Sequence, residues 1–126
     1  MASDKWVVLV VDDDDDLREV VAQDFASKGY EVQTAASGNE AFRLVQQGPV
    51  DLVLSDLRMP SGDGIDLLKQ IVALDAPRPA VILMTGFADL NSEQARALGA
   101  VALVGKPFDR SALFATVRAL KVARGD

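Results

Sequence analysis

Five short apolar runs recur along this chain with room for one helix between each pair, and that alternation constrains the fold more than any other feature. The runs are Trp6–Val11 (WVVLVV), Tyr30–Ala35 (YEVQTA), Val50–Leu54 (VDLVL), Ala80–Met84 (AVILM) and Val101–Val104 (VALV). Four of them are nearly continuous in apolar residues, as strands covered on both faces require. The second alternates apolar and polar residues, which places it nearer a sheet edge. The intervening segments carry helical spacing instead. Leu17, Val20, Val21 and Phe25 mark a helix from about Asp15 to Lys28, with Gly29 at its left-handed cap. Ser37-Gly38-Asn39-Glu40 supplies capping chemistry for Ala41, Phe42, Leu44 and Val45, and Gly48-Pro49 ends that helix. Ile65, Leu67, Leu68, Ile71 and Val72 form a third stripe, which the prolines of Asp75–Pro79 stop. Asn91–Leu98 is a short fourth helix with a thin apolar face, closed by Gly99. Asp109 caps a fifth, carrying Leu113, Val117 and Leu120. Strict alternation of this kind predicts an α/β fold: a doubly wound parallel sheet with right-handed crossovers and helices on both faces.

The chain has 126 residues, 49% hydrophobic and 25% charged, enough for one domain with a core of its own. It has no cysteine and no histidine. Disulfide scaffolds, thiolate sites, imidazole bases and histidine metal ligands are thereby excluded, leaving carboxylates, hydroxyls and lysines for any chemistry. A net charge of -6 argues against direct nucleic-acid binding, which clustered cations mediate. The apolar stretch at the N-terminus is too short for a signal peptide, and no run reaches the roughly 18 apolar residues of a membrane span. A soluble cytoplasmic protein with no membrane partner is expected.

In open parallel sheets, ligands bind beyond the carboxyl ends of the strands. Here the first strand ends in Asp12 and Asp13, the third in Asp56, the fourth in Thr85 and the fifth in Lys106. The stretch Val50–Gly64 carries Asp56 out of an apolar run into a cluster of turn residues, Met59-Pro60-Ser61-Gly62-Asp63-Gly64. Three carboxylates gathered there repel, by about 4 kcal/mol per pair at about 4 Å and an effective dielectric near 20. With oxygen ligands alone, the fitting guest is a hard divalent ion, Mg²⁺, with Mn²⁺ as a substitute. An ammonium and a hydroxyl beside it make a pocket for phosphoryl oxygens, and a carboxylate oxygen is a phosphoryl acceptor. Taken singly, each residue has a plainer role. Asp12–Asp16 reads equally as an acidic run at a helix start, a role assigned to Asp14–Asp16; Asp56 reads as a turn or cap, Thr85 as a strand-end hydroxyl, and Lys106 as a surface charge. An EF-hand loop from Asp12 fails at Leu17 and Gln23, where glycine and glutamate are required.

The segments VVLVVDDD, DLVLSDLRMPSGDG, VILMTG and LVGKPFD resemble, in order and spacing, the four motif regions of bacterial two-component response-regulator receiver domains. The likeness covers essentially the whole chain. It implies a five-stranded flavodoxin-like sheet in the order 2-1-3-4-5 and a receiver domain over residues 1–126, with a core at about 5–122. It also implies that Asp56 is the phosphoacceptor, that Asp13 and Asp56 ligate Mg²⁺ with the Arg58 backbone carbonyl, and that Asp12 acts through water. Thr85 matches the hydroxyl residue that moves toward the phosphoryl group. Lys106 matches its lysine partner, with a cis peptide before Pro107.

Receivers commonly carry Tyr or Phe three residues before this lysine, where the ring turns inward as the threonine moves. This chain has Leu103, so the signal is expected to travel through backbone movement after the fourth and fifth strands or through Phe87, with Arg58 touching an incoming partner. The implied donor is a sensor histidine kinase or phosphotransfer protein. The implied output surface is helix four, strand five and helix five, acting on an effector or through a phosphorylation-dependent homodimer. The protein then catalyses only its own phosphoryl transfer and autodephosphorylation. Two other classes stand beside this one: an aspartate-nucleophile Mg²⁺-dependent phosphohydrolase, and a receiver-like module that binds partners without phosphate. Trp6 is a candidate fluorescent reporter of metal binding.

Overall fold

The computed structural model describes residues 5–59, 62–74, 79–86, 90–106 and 109–124. Strands β1 (Val7–Val11), β2 (Glu31–Ala35), β3 (Leu52–Asp56), β4 (Ala80–Thr85) and β5 (Ala102–Gly105) alternate with helices α1 (Asp15–Ser27), α2 (Gly38–Gln47), α3 (Gly64–Val72), α4 (Ser92–Leu98) and α5 (Arg110–Ala123). The strands form one parallel sheet in the order β2-β1-β3-β4-β5. The alternation is therefore realised element for element, with boundaries one or two residues from those the sequence predicts.

Successive strand residues point to opposite faces, so each central strand feeds two cores. Leu9, Val11, Val53, Val81 and Leu83 pack with Leu67, Leu68 and Ile71 of α3, Ala41 of α2 and Ala95 of α4. Val8, Val10, Leu52, Leu54, Ile82 and Met84 face Val21 and Phe25 of α1 and Leu113, Phe114 and Val117 of α5. Phe25 anchors this second core, edge-on to Phe114 with ring centroids 4.8 Å apart, a geometry worth about 1 kcal/mol beyond the area it buries. Double-sided coverage is why β1, β3 and β4 read as unbroken apolar runs. β5 is equally apolar but only half-buried. It is an edge strand, and its helix neighbour α4 is two turns long with Ala95 alone fully buried.

Ser37 and Asp109 cap their helices as the sequence predicts, and Asp14, Asp63 and Asn91 prove to be caps as well. Asp14, Ser37, Asp63, Asn91 and Asp109 each accept backbone N–H groups from the first turn of their helix, and Asn91 with Gln94 completes a capping box. Gly99 closes α4 at φ 113°, a conformation costly for any residue with a side chain. α3 ends at Val72, ahead of Asp75–Pro79, of which residues 75–78 lie outside the described residues. Phe87 and Pro107, with the expected cis peptide, lie outside them as well.

Candidate functional site

Parallel register brings the acids together. Val11 pairs with Ser55, so the next residue on each strand, Asp12 and Asp56, stand side by side at the carboxyl edge of β1 and β3. Asp12 is 1% exposed, and its N–H still reaches Ala35 O across to β2 at 3.2 Å. Both its carboxylate oxygens are engaged: Oδ1 accepts the Asp14 N–H at 3.0 Å, and Oδ2 accepts from Lys106 Nζ at 3.0 Å. Asp56 Oδ1 lies 3.2 Å from the same ammonium and accepts the Leu57 N–H at 3.0 Å. Asp13 is exposed, and carboxylate oxygens of Asp12, Asp13 and Asp56 all lie within 4.8 Å of one another.

The opposite wall comes from β4 and β5. Thr85 ends β4 and is 8% exposed; its carbonyl accepts the Lys106 N–H at 2.8 Å, which sets the lysine beside the aspartates. The loop after β3 is pinned at both ends. Leu57 N–H donates to Met84 O at 2.8 Å, Leu57 and Met59 are buried in the core, and Gly64 N–H returns to Leu57 O at 2.9 Å. A side chain at Gly64 would collide with the Asp56 carbonyl oxygen, so glycine there lets the loop close tightly under the acid. Gly38 N–H also holds Gly62 O at 2.9 Å, tying this loop to the start of α2. Arg58, two residues beyond Asp56, is exposed on this loop.

Three carboxylates and one ammonium leave two negative charges uncompensated, the charge of one divalent cation. Burial pushes the Asp56 carboxyl above its ordinary value; Lys106 pulls it down, and the Asp12 charge raises it further. For Lys106, burial pulls down, but the Asp12 hydrogen bond and the charges of Asp12 and Asp56 outweigh it and hold the ammonium above its usual range. The donor set is oxygen throughout and suits a hard ion such as Mg²⁺. With both Asp12 oxygens already hydrogen-bonded, Asp13 and Asp56 are the more open ligands.

Of the residues singled out in the sequence, Asp12, Asp13, Asp56 and Lys106 converge directly, and Thr85 adjoins them through its backbone. Leu103 pairs in register with Leu83 and packs, half-buried, on the α2–α3–α4 side of the sheet. Asp14 caps α1, and Asp15 pairs with Arg18 at 2.6 Å. Trp6 sits at the other end of β1 from the acids, under the Arg124 guanidinium 5.6 Å from its ring. One contributor escaped the sequence reading: Arg18 Nη1 donates to the Asp12 carbonyl at 2.8 Å. Its three-residue spacing from Asp15 was the signal available.

Residues 8–118 match the family model described as the response regulator receiver domain. Sporulation initiation phosphotransferase F of Bacillus subtilis (strain 168) is 36% identical over 103 residues, which cover 81% of this chain and 82% of that protein. Regulatory protein AtoC of Escherichia coli (strain K12) is 40% identical over 103 residues; these cover 81% of this chain but 22% of AtoC, so the chain spans less than a quarter of that regulator. The CheY-like response regulator receiver domain protein from Methanospirillum hungatei JF-1 superposes with a TM-score of 0.88 at 29% identity, over 96% of this chain and 97% of its own.

Proposed function

Because this chain belongs to the response regulator receiver domain family and is a phosphorylation-dependent signalling switch of the two-component kind, we propose that Asp56 is the residue phosphorylated. The observation that carries this reading is the Asp56 carboxylate at 3.2 Å from Lys106, with the Asp12 and Asp13 oxygens within 4.8 Å. An Asp56 oxygen attacks the phosphorus of a phosphohistidine on a sensor kinase or phosphotransfer protein. The P–N bond breaks, the histidine nitrogen leaves with the bond's electron pair, and an acyl phosphate forms on Asp56. Attack of water on the same phosphorus returns the carboxylate and inorganic phosphate, the only turnover assigned to this chain.

Asp13 and Asp56 would hold Mg²⁺ directly with the Arg58 carbonyl, and Asp12 would act through water, with Mn²⁺ as a substitute. The ion, when bound, neutralises charge on the acids and on the transferred phosphoryl oxygens. Lys106 supplies a second positive charge to those oxygens, and the Thr85 hydroxyl supplies a hydrogen bond. Differential contact of the phosphoryl group with Lys106 and Thr85 in two conformations shifts the population and changes the α4–β5–α5 surface. Leu103, Phe87 and Arg58 are the switch or modulatory residues of this reading, with the Arg58 side chain touching an incoming partner. The receiver unit spans residues 1–126 with its core at about 5–122, and works in the cytoplasm on an effector or as a phosphorylation-dependent homodimer. No helix among the described residues is long and apolar enough to cross a membrane.

The test is incubation with acetyl phosphate, with and without Mg²⁺, read by intact mass. One phosphoryl group is expected, only with the metal, and none on Asp56→Asn. Equal labelling of that variant, or no labelling of the wild type, sinks the assignment.

A further inference from the structure

Asp13 presents the one carboxylate of the trio that has no hydrogen-bond partner among the described residues, and it is exposed. Nothing that grips its side chain accounts for its staying within 4.8 Å of Asp12 and Asp56. Its direction must come from the backbone. The chain leaves the sheet between Asp12, whose N–H is still bound to β2, and Asp14, which caps α1. At that departure the Asp12 carbonyl accepts Arg18 Nη1 at 2.8 Å, while Nη2 of the same guanidinium holds Asp15 Oδ1 at 2.6 Å. The Arg18 side chain is 20% exposed and lines, with Ala22, Ala26 and Val32, a groove of about 470 Å³ between α1 and the edge strand β2.

A peptide unit is planar, so a hydrogen bond that fixes the Asp12 carbonyl also fixes the Asp13 N–H and Cα. The guanidinium is a rigid fork, and it spans the turn from the last residue of the strand edge to the first turn of α1. We propose that Arg18 is a positioning residue for the divalent-cation site: it clamps the Asp12–Asp13 peptide so that the Asp13 carboxylate faces Asp12 and Asp56. This rests on the reading of the three acids as a metal site. The charge of Arg18 is offset by Asp15, so its effect on the ion is geometric.

Charge and geometry predict opposite signs. Removing a nearby cation tightens Mg²⁺ binding if only the charge matters; releasing the peptide weakens it. Outer-shell partners of metal ligands typically change affinity by roughly 10-fold or more when removed. Mn²⁺ is titrated into the whole chain and the free ion read by electron paramagnetic resonance. Arg18→Ala is expected to bind roughly 10-fold more weakly, Arg18→Lys to recover part of the loss, and Asp15→Asn, which leaves the carbonyl contact in place, to lose less than Arg18→Ala. The Mg²⁺ concentration giving half-maximal acetyl phosphate labelling rises in parallel, while the rate at saturating Mg²⁺ is retained. Circular dichroism melts in EDTA identify a variant that has merely unfolded, in which case Arg18→Lys carries the comparison. Unchanged or tighter Mn²⁺ binding by a folded Arg18→Ala overturns the proposal. Absence of Mn²⁺ binding by the wild type overturns the metal-site reading itself, and this inference with it.

Discussion

Lys106 Nζ lies 3.2 Å from Asp56 Oδ1, so the acid at the end of β3 is already paired with the cation at the end of β5. The same ammonium is 3.0 Å from Asp12 Oδ2 and serves as internal counter-ion for both strand-end acids. Lys106→Met removes that cation. The variant is expected to lose about 2 kcal/mol in EDTA, the worth of hydrogen bonds to a charged partner. It should gain more from added Mg²⁺ than the wild type does, since the ion becomes the sole compensation. Urea denaturation with and without Mg²⁺ measures both, and an equal Mg²⁺ response in the two proteins contradicts this role.

The Asp56 carboxyl is raised by burial, with Asp12 adding to the shift and Lys106 opposing it. A raised acid binds its proton more tightly folded than unfolded, so its contribution is favourable below the unfolded value, near pH 4, and is lost as pH rises through the folded value. At neutral pH without metal, Asp56→Asn should therefore melt higher than the wild type. The gap should close as pH falls through the carboxyl range. Lys106 is also raised: its contribution is present below the unfolded value, near 10.4, and lost as pH rises through the folded one. Melting curves from pH 3 to 11 in EDTA check both signs.

Gly64→Ala places a methyl group against the Asp56 carbonyl oxygen and within 3.1 Å of Leu57 Cα. The backbone on either side must shift, at a cost of roughly 1–3 kcal/mol. Because the displaced backbone carries the Asp56 side chain, the proposed phosphoryl acceptor, labelling by acetyl phosphate should slow as well. A variant equal to wild type in both stability and labelling rate would show that the loop relaxes freely.

Leu103 packs half-buried beside Leu83 on the α4 side of the core. Leu103→Tyr should leave the labelling rate unchanged and alter stability by within about 1 kcal/mol, since the edge strand lets the ring reach water. What it should alter is the difference in amide hydrogen exchange of α4 and β5 between phosphorylated and unphosphorylated protein. No change in that difference would separate Leu103 from the switch.

Much of this architecture was legible because strands buried on two faces must be apolar throughout, while the intervening helices need one stripe only. That rule identified β1, β3 and β4 and, through them, the edge where Asp12, Asp56 and Thr85 emerge. It overstated β5, whose apolar residues sit at a sheet edge beneath a short helix. The acids and Lys106 were recognisable as side-chain types at strand ends. Arg18 was not: its spacing from Asp15 signals the ion pair, but its other partner is a backbone carbonyl in a turn, whose direction leaves no mark in residue identity. Nor does sequence disclose that Gly38 and Gly62 meet, a contact between the start of α2 and the loop after β3 that depends on how α2 and α3 pack.

The register that sets Val11 opposite Ser55 also makes the site sensitive to chain length in a very uneven way. One residue inserted in β1 between Val7 and Val8 would exchange Val8 and Val10 with Leu9 and Val11 between the two cores, and would carry Asp12 past Asp56 by one step along the edge. One residue inserted on the outer turns at the amino ends of the strands, such as Gly48-Pro49 between α2 and β3, leaves both counts intact. Insertions and deletions should therefore be tolerated on the side of the sheet remote from the acids, and the strands should behave as a fixed-length ruler.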